Sequence, residues 1–229
     1  MTRRRFDAVL FDAGGVLVLP DPTVLGPLLA YFGGSTDLNQ HRRAHYVGMK
    51  AKSDAEASES SWDVYNRAYV ASVGVDVSDR NEAAGVLDRT RYHHTWRWVI
   101  PESRTALDRF ASAGVPMGVV SNASGQIEAM LRREIAQVGP GNQVEMRVIV
   151  DSHVVGVAKP DPAIFDHALP SFPDVEPARI AYVGDSVTMD IAAAAAAGIH
   201  PILLDPYDDH AGEVFERINS LHDLVAEFA

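Results

Sequence analysis

The sequence contains no cysteine among its 229 residues and comparatively few basic side chains. The absence of cysteine excludes disulfide-stabilised folds, zinc sites built on thiolates and enzymes that use a thiol nucleophile. The 20 lysines and arginines stand against 31 acidic residues, which gives a formal net charge of −11. Because such a surface repels a phosphate backbone, nucleic acid is not expected as a partner.

Long apolar runs are lacking as well. None approaches the roughly 20 residues that span a bilayer, which argues against a membrane protein. The cytosol is the default compartment. Hydrophobic residues make up 47% and charged residues 22%, which is ordinary usage for a folded chain. At about 150 residues per domain, the length predicts one large domain or one domain with an insertion.

Five short apolar runs predict buried strands, at residues 6–11, 115–120, 147–150, 180–183 and 201–204. Helical patterns separate most of these runs. Such alternation predicts an α/β fold, with a doubly wound, Rossmann-like parallel sheet covered by helices on both faces.

Between residues 20 and 100 the pattern changes. Clear strand runs are missing there, and apolar positions such as Trp62, Tyr65 and Tyr69 are spaced as in amphipathic helices. We therefore predict a sheet domain formed by residues 1–19 and 101–229, with a small all-helical cap inserted at 20–100.

Polar groups follow the predicted strands beyond their carboxyl ends, where open parallel sheets bind ligands. These groups are Asp12, Ser121, Asn122, Lys159, Asp185 and Asp190. Asp12 is a candidate covalent nucleophile, because a carboxylate at a strand tip can form an ester or acyl phosphate that water later cleaves. Taken alone, such a residue is more often a turn or cap aspartate.

The same groups form four ordered motifs: Phe11-Asp-Ala-Gly-Gly-Val16, Val120-Ser-Asn122, Lys159-Pro160 and Gly184-Asp-Ser-Val-Thr-Met-Asp190. This set resembles the haloacid dehalogenase superfamily of hydrolases over essentially the whole predicted sheet domain. The cap matches that superfamily only in position and helical character. The resemblance implies a hydrolase of a small, phosphorylated molecule, and we expect a monomer or homodimer.

Asp12, Asp185 and Asp190 would bring three carboxylates near one point. Without a cation, at least one of them would have to take up a proton. Magnesium prefers oxygen ligands and would resolve this conflict. The resemblance implies that Asp12, the Gly14 carbonyl and Asp185 hold Mg²⁺. For Asp190 two interpretations stay open: it holds a metal-bound water or orients Lys159, or it is a helix-turn aspartate near a helix N-terminus.

Ser121 and Asn122 precede a helical pattern. Their hydroxyl and free backbone N–H groups would form a cradle for phosphate oxygens, although either residue would also serve as a plain N-cap. Lys159 is kept out of a helix by the proline after it, and its ammonium would neutralise the carboxylates and the transferring group. An isolated Lys-Pro pair would instead be a solvated loop.

Gly14 departs from the phosphatases of the superfamily, which carry a second aspartate at this position as general acid and base. Loss of such a group typically costs about 10²–10⁴ in rate. One interpretation is a phosphatase whose substrate has a good leaving group, or one that takes an acid from the cap. The cap offers four histidines: His41, His45, His93 and His94.

Other interpretations follow branches of the superfamily that also lack the second aspartate. A 2-haloacid dehalogenase could bind a carboxylated substrate through Arg42 and Arg43, but such enzymes use no metal, and the intact Gly184-Asp185 pair argues against them. A carbon–phosphorus hydrolase needs a cap lysine as a Schiff base, for which Lys50 and Lys52 are candidates. A catalytically weak or inactive member would bind magnesium and a phosphorylated ligand only.

Overall fold

The computed structural model describes residues 4–57 and 61–228, except for the side chain of His93. These residues form two compact units. The sheet unit contains the described residues of Met1–Leu17, Val99–Pro206 and Gly212–Ala229, and the helical unit contains those of Val18–Trp98 and Tyr207–Ala211. None of the described helices combines the length and the apolar character that a membrane crossing requires.

A six-stranded parallel sheet is the centre of the sheet unit. Its strands are β1 (Ala8–Phe11), β4 (Met117–Ser121), β7 (Val148–Asp151), β8 (Ile180–Gly184), β9 (His200–Leu204) and β10 (Arg217–Ile218). They lie in the order β10-β9-β8-β1-β4-β7, so β1 and β8 are neighbours at the centre. The structure confirms the predicted α/β fold and the five predicted strands.

Helices cover both faces of this sheet; they are α5 (Pro101–Ser112), α6 (Ile127–Glu134), α7 (Ser152–Val155), α8 (Ala192–Ala196) and α9 (Leu221–Val225). Alternate residues of a strand point to opposite faces. Leu10 of β1 accordingly lies in one buried cluster with Ala193 of α8. Phe11 packs on the other face against Phe110 of α5, with ring centroids 5.7 Å apart.

Three short strands of the sheet unit were not predicted. They are β10 and the parallel pair β5 (Ala136–Val138) and β6 (Val144–Met146). Runs of two or three residues carry too little periodicity to be distinguished from loops.

The helical unit contains α1 (Pro22–Ala30), α2 (Leu38–Asp54), α3 (Asp63–Ser72) and α4 (Arg80–Thr90). Tyr65 and Tyr69 of α3 are almost completely buried at its centre. Gly48 allows α2 to approach closely, because a Cβ at that position would lie 2.5 Å from the ring of Tyr65. The amphipathic helices predicted for this segment are therefore present.

The prediction that this segment is all-helical is wrong in one respect, since β2 (Val18–Pro20) pairs with β3 (Trp96–Val99) in a two-stranded sheet. Both strands are too short for the alternating pattern of a β-strand to be recognised beside the helical stretches. Sequence reasoning also did not assign 207–211 to this unit, where Asp209 accepts a hydrogen bond from Arg43 at 2.7 Å. The assignment of 20–100 as a functional cap stays a prediction.

Candidate active site

Three carboxylates meet at the carboxyl edge of the sheet, as the motifs predict. Asp12 follows β1, Asp185 follows β8, and Asp190 lies in the single π-helical turn Val187–Ile191 that leads into α8. Each of the three offers an oxygen within 4.8 Å of the others. Since β1 and β8 are adjacent parallel strands, their carboxyl ends necessarily bring Asp12 and Asp185 together.

Two glycines make room for this cluster. Gly15 has a φ of +69°, and a Cβ there would lie 1.8 Å from Oδ2 of Asp185. A Cβ at Gly184 would lie 2.2 Å from the Cβ and Cγ of Asp190. Glycine is therefore required at both positions by close approach, and at Gly15 also by the positive φ.

Lys159 joins the cluster from its own loop and is only 2% exposed. Its Nζ donates to Oδ1 of Asp190 at 2.6 Å and lies 3.1 Å from Oδ1 of Asp12. Burial alone would lower the pKa of Lys159, but the negative charges of Asp12 and Asp190 outweigh burial and raise it above its usual range. The side chain is a buried ammonium and not the solvated lysine of an ordinary loop.

Burial raises the pKa of Asp12 from 3.8 to about 7. The charge of Lys159 works against this rise, whereas the charges of Asp190 and Asp185 add to it. Ser121 hydrogen-bonds to Asp12 and lowers the pKa slightly, and the backbone N–H of Ala13 donates to Oδ1 at 2.8 Å. The ionised carboxylate is thus poorly stabilised by the protein alone, and a bound cation would favour it.

Asp190 is saturated with hydrogen bonds. Its Oδ1 accepts from Lys159 and from the hydroxyl of Tyr182 at 2.9 Å. Its Oδ2 accepts from the backbone N–H groups of Asp185 at 3.1 Å and Ser186 at 3.0 Å. This geometry favours a residue that orients Lys159 and the turn of Asp185 over a direct metal ligand, and it leaves Asp12 and Asp185 as the better candidates for a cation.

Ser121 and Asn122 do not cap α6, because that helix begins only at Ile127. The side chain of Asn122 is bonded instead to the backbone of Lys159. Its Oδ1 accepts from Lys159 N at 2.8 Å, and its Nδ2 donates to Lys159 O at 3.0 Å. Asn122 therefore links two of the motifs to each other.

The phosphate cradle at Ser121 and Asn122 stays a prediction, and the N–H groups that follow in this loop have partners within the protein. The N–H groups of Ala123, Ser124 and Gly125 donate to side chains of the protein itself. Tyr182 and Asp151, which hold Lys159 and the loop, were missed by sequence reasoning. Asp151 ends β7, and Tyr182 lies in β8 two residues before Gly184; this closeness to the strand ends and motifs is the signal that could have indicated them.

Two of the four cap histidines are interior side chains of the helical unit. His41 shares a 2.7 Å hydrogen bond with the hydroxyl of Tyr69 and another of 2.8 Å with the carbonyl of Ser35. Burial lowers the pKa of His41. His45 is bonded to the hydroxyl of Tyr65 at 2.9 Å. Both are 2% exposed or less, which is typical of structural histidines.

The remaining two histidines differ. His94 stacks on Tyr92, with ring centroids 6.0 Å apart. The side chain of His93 lies outside the described part of the structure.

The other cap candidates are also engaged. Lys50 pairs with Asp54 one helical turn away. Lys52 is 1% exposed, and its Nζ lies 3.7 Å from the ring centroid of Trp62. Arg43 pairs with Asp209 and stacks on Tyr207.

Comparison with known proteins agrees with the motifs. The family model of haloacid dehalogenase-like hydrolases matches residues 6–198. Haloacid dehalogenase-like hydrolase domain-containing protein 3 of Xenopus laevis is 34% identical over 113 residues, which are 49% of this chain and 43% of that protein. Phosphoserine phosphatase of Thermus thermophilus is 28% identical over 131 residues, 54% of this chain and 50% of that protein. The matches thus span half the length of these relatives or less.

Solved structures of a phosphatase and of a dehalogenase share the fold. A HAD phosphatase from Thermococcus onnurineus aligns with a TM-score of 0.57 at 21% identity, over 95% of both chains. A 2-haloacid dehalogenase from Pseudomonas syringae aligns with a TM-score of 0.54 at 20% identity, over 97% of both chains. Likeness at this level concerns the fold alone, so the activity has to be argued from the site.

Proposed function

The chain belongs to the haloacid dehalogenase-like hydrolases, and on that premise we propose that it is a magnesium-dependent phosphatase of a small phosphorylated molecule, with Asp12 as the covalent nucleophile. The observation that carries the proposal is the meeting of Asp12, Asp185 and the buried Lys159 at one edge of the sheet. A metal-free dehalogenase has no need of the second carboxylate, Asp185.

The donor set fits a hard divalent ion. Carboxylate oxygens are the ligands that Mg²⁺ prefers, and Asp12 and Asp185 would hold it with the carbonyl of Gly14. The raised pKa of Asp12 is the second argument, because a cation at this position would offset the repulsion from Asp185 and Asp190. When bound, the ion would neutralise charge on the transferring group.

The protein's own groups would then act in two steps. A carboxylate oxygen of Asp12 attacks phosphorus, the bond to the leaving oxygen breaks, and an aspartyl phosphate forms. Water cleaves this acyl phosphate in the second step and regenerates the carboxylate. Lys159 holds a positive charge beside Asp12 throughout, and Ser121 fixes the direction of the Asp12 side chain by its hydrogen bond.

Gly14 shapes the substrate preference. The leaving oxygen receives no proton from a side chain at that position, and His41 and His45 are engaged inside the helical unit. We therefore propose that substrates with a low-pKa leaving group are hydrolysed far faster than alkyl phosphates. Slow hydrolysis of the intermediate would then give a burst of leaving group followed by slow turnover.

Carbon–phosphorus cleavage is a weaker candidate. It needs a lysine whose amine is accessible; Lys52 is buried against Trp62, and the remaining candidate, Lys50, forms a surface ion pair with Asp54. No particular observation favours dehalogenation or an inactive binding protein.

The test is a substrate panel for the purified protein, with p-nitrophenyl phosphate, alkyl phosphates and 2-haloacids, each with magnesium and with a chelator. The proposal expects magnesium-dependent release of p-nitrophenol, absent in Asp12→Asn and Asp185→Asn. Release of halide from 2-haloacids without magnesium would contradict the proposal and identify a dehalogenase. Binding of magnesium without turnover of any ester would leave a non-catalytic protein.

A further inference from the structure

Asp151, the last residue of β7, and Ser152, the first residue of α7, hold the loop 122–126 that connects β4 to α6. We propose that these two are positioning residues for phosphate binding: they keep this loop, and with it Ser121 and the backbone of Asn122, in place beside Asp12. The inference rests on the proposed phosphatase function and concerns side chains that do not touch the substrate.

Asp151 is 6% exposed and binds backbone N–H groups with both carboxylate oxygens. Oδ2 accepts from Gly125 at 2.8 Å and from Ile127 at 3.3 Å. Oδ1 accepts from His153 at 3.0 Å. Hydrogen bonds to an ionised acceptor are stronger than neutral ones. The carboxylate therefore holds both the loop and the beginning of α6 at the end of β7.

Ser152 holds the same loop at a second point. Its hydroxyl accepts from the N–H of Ala123 at 3.1 Å and lies 3.3 Å from the carbonyl of Ala123, to which it donates. The sheet register explains why these groups meet, since Ser121 lies directly opposite Asp151 in the pairing of β4 with β7. Two side chains thus fix the loop to the end of β7 and the start of α7, and Asn122 fixes it to Lys159.

The charge of Asp151 has two opposite effects near a phosphate site. The N-terminus of a helix such as α6 attracts anions, and Asp151 occupies it with a fixed negative charge. That charge disfavours a nearby phosphate by electrostatic repulsion. Its benefit to phosphate binding must therefore come from the loop geometry. Removing the charge should weaken phosphate binding if the geometry matters, and strengthen it if only the repulsion matters.

The experiment compares Asp151→Asn with the parent protein in magnesium. Asparagine has one acceptor oxygen, so either Gly125 or His153 faces an NH₂ group. We measure KM and kcat for p-nitrophenyl phosphate and the inhibition constant of inorganic phosphate. The expected result is a rise of about tenfold in the KM and in the inhibition constant, larger than the change in kcat. The thermal shift caused by magnesium alone should persist, because Asp12 and Asp185 follow other strands.

Ser152→Ala provides a milder variant, with Ser152→Thr as its conservative partner. Alanine should raise the inhibition constant of phosphate by roughly threefold, and threonine, which keeps the hydroxyl, should restore it. If Asp151→Asn does not fold, this pair carries the test. Asp37→Asn is the control, since Asp37 caps α2 in the helical unit through Gln40 and should leave phosphate binding unchanged.

The inference is refuted if the active parent and the Asp151→Asn and Ser152→Ala variants bind phosphate equally, or if the variants bind it more tightly. A fall in melting temperature without a change in KM or inhibition constant would equally refute it, because it would mean a purely structural role. If the parent protein itself neither hydrolyses an aryl phosphate nor binds phosphate, the proposed function fails, and the positioning role fails with it.

Discussion

Replacing the proposed nucleophile should stabilise the metal-free protein. The pKa of Asp12 is raised from 3.8 to about 7 by burial and by its acidic neighbours, against the pull of Lys159. A raised pKa means that the stability contributed by the protonated carboxyl is fully present below pH 4 and is lost as the pH rises to 7. A pKa raised by about 3 corresponds to about 4 kcal/mol in the free energy of unfolding, and at pH 8 this stability is lost in full.

Asp12→Asn removes this titration and keeps the size of the side chain and an oxygen for Lys159. At pH 8 in a chelator, we expect the variant to be more stable than the parent by up to about 4 kcal/mol, and at pH 5 by less than half of that. For a chain of this length the change at pH 8 corresponds to roughly 8–16 °C in melting temperature.

Urea unfolding of both proteins at pH 5 and pH 8 measures the effect, with Asp37→Asn as a control whose asparagine caps α2 equally well. Saturating magnesium should abolish most of the difference, because it stabilises only the ionised parent. The reasoning is refuted if Asp12→Asn is less stable than the parent at pH 8, or if the stability difference is the same at both pH values.

Three further substitutions test the geometry. Gly15→Ala should abolish magnesium-dependent activity and the thermal shift by magnesium, because its Cβ would displace the carboxylate of Asp185; an active variant would contradict the close approach. Asp190→Asn should lower kcat by about tenfold or more while magnesium still shifts the melting temperature, and loss of that shift would make Asp190 a ligand. Gly14→Asp should raise the rate for alkyl phosphates more than for aryl phosphates, measured as the ratio of the two kcat/KM values, and an unchanged ratio would mean that another residue supplies the proton.

The parallel sheet and its site were predictable for a physical reason. Residues 8–11 and 180–183 are apolar throughout, as strands buried on both faces must be. An aspartate follows each run within two residues: Asp12 directly, and Asp185 after Gly184. Adjacent parallel strands bring such residues to one edge, so the meeting of Asp12 with Asp185 needed no knowledge of distances.

The hydrogen-bond partners within that site were not predictable. Asp190 is eight residues from Tyr182 along the chain, yet only the π-helical turn brings its carboxylate back to the strand. Asn122 looked like a phosphate ligand or an N-cap, and its actual partner, the backbone of Lys159, is 37 residues away. Long-range pairing of this kind depends on loop conformation, which leaves no periodic trace in a sequence.

The histidines of the helical unit illustrate a similar difficulty. From sequence, His41 and His45 are candidate acids, and only the packing of α2 on α3 shows that their rings meet Tyr69 and Tyr65. A buried histidine and a catalytic one have the same spacing on a helix, so burial had to decide between them.

Direct detection of a phosphoryl group on Asp12 tests the central claim. The protein is mixed with p-nitrophenyl phosphate and magnesium, quenched within the burst, and treated with borohydride, which reduces an aspartyl phosphate to homoserine. Mass spectrometry of the peptides then locates the reduced residue. The account predicts homoserine at position 12, only when substrate and magnesium are both present. Turnover of the ester without modification at position 12, or with the modification at another residue, would contradict it.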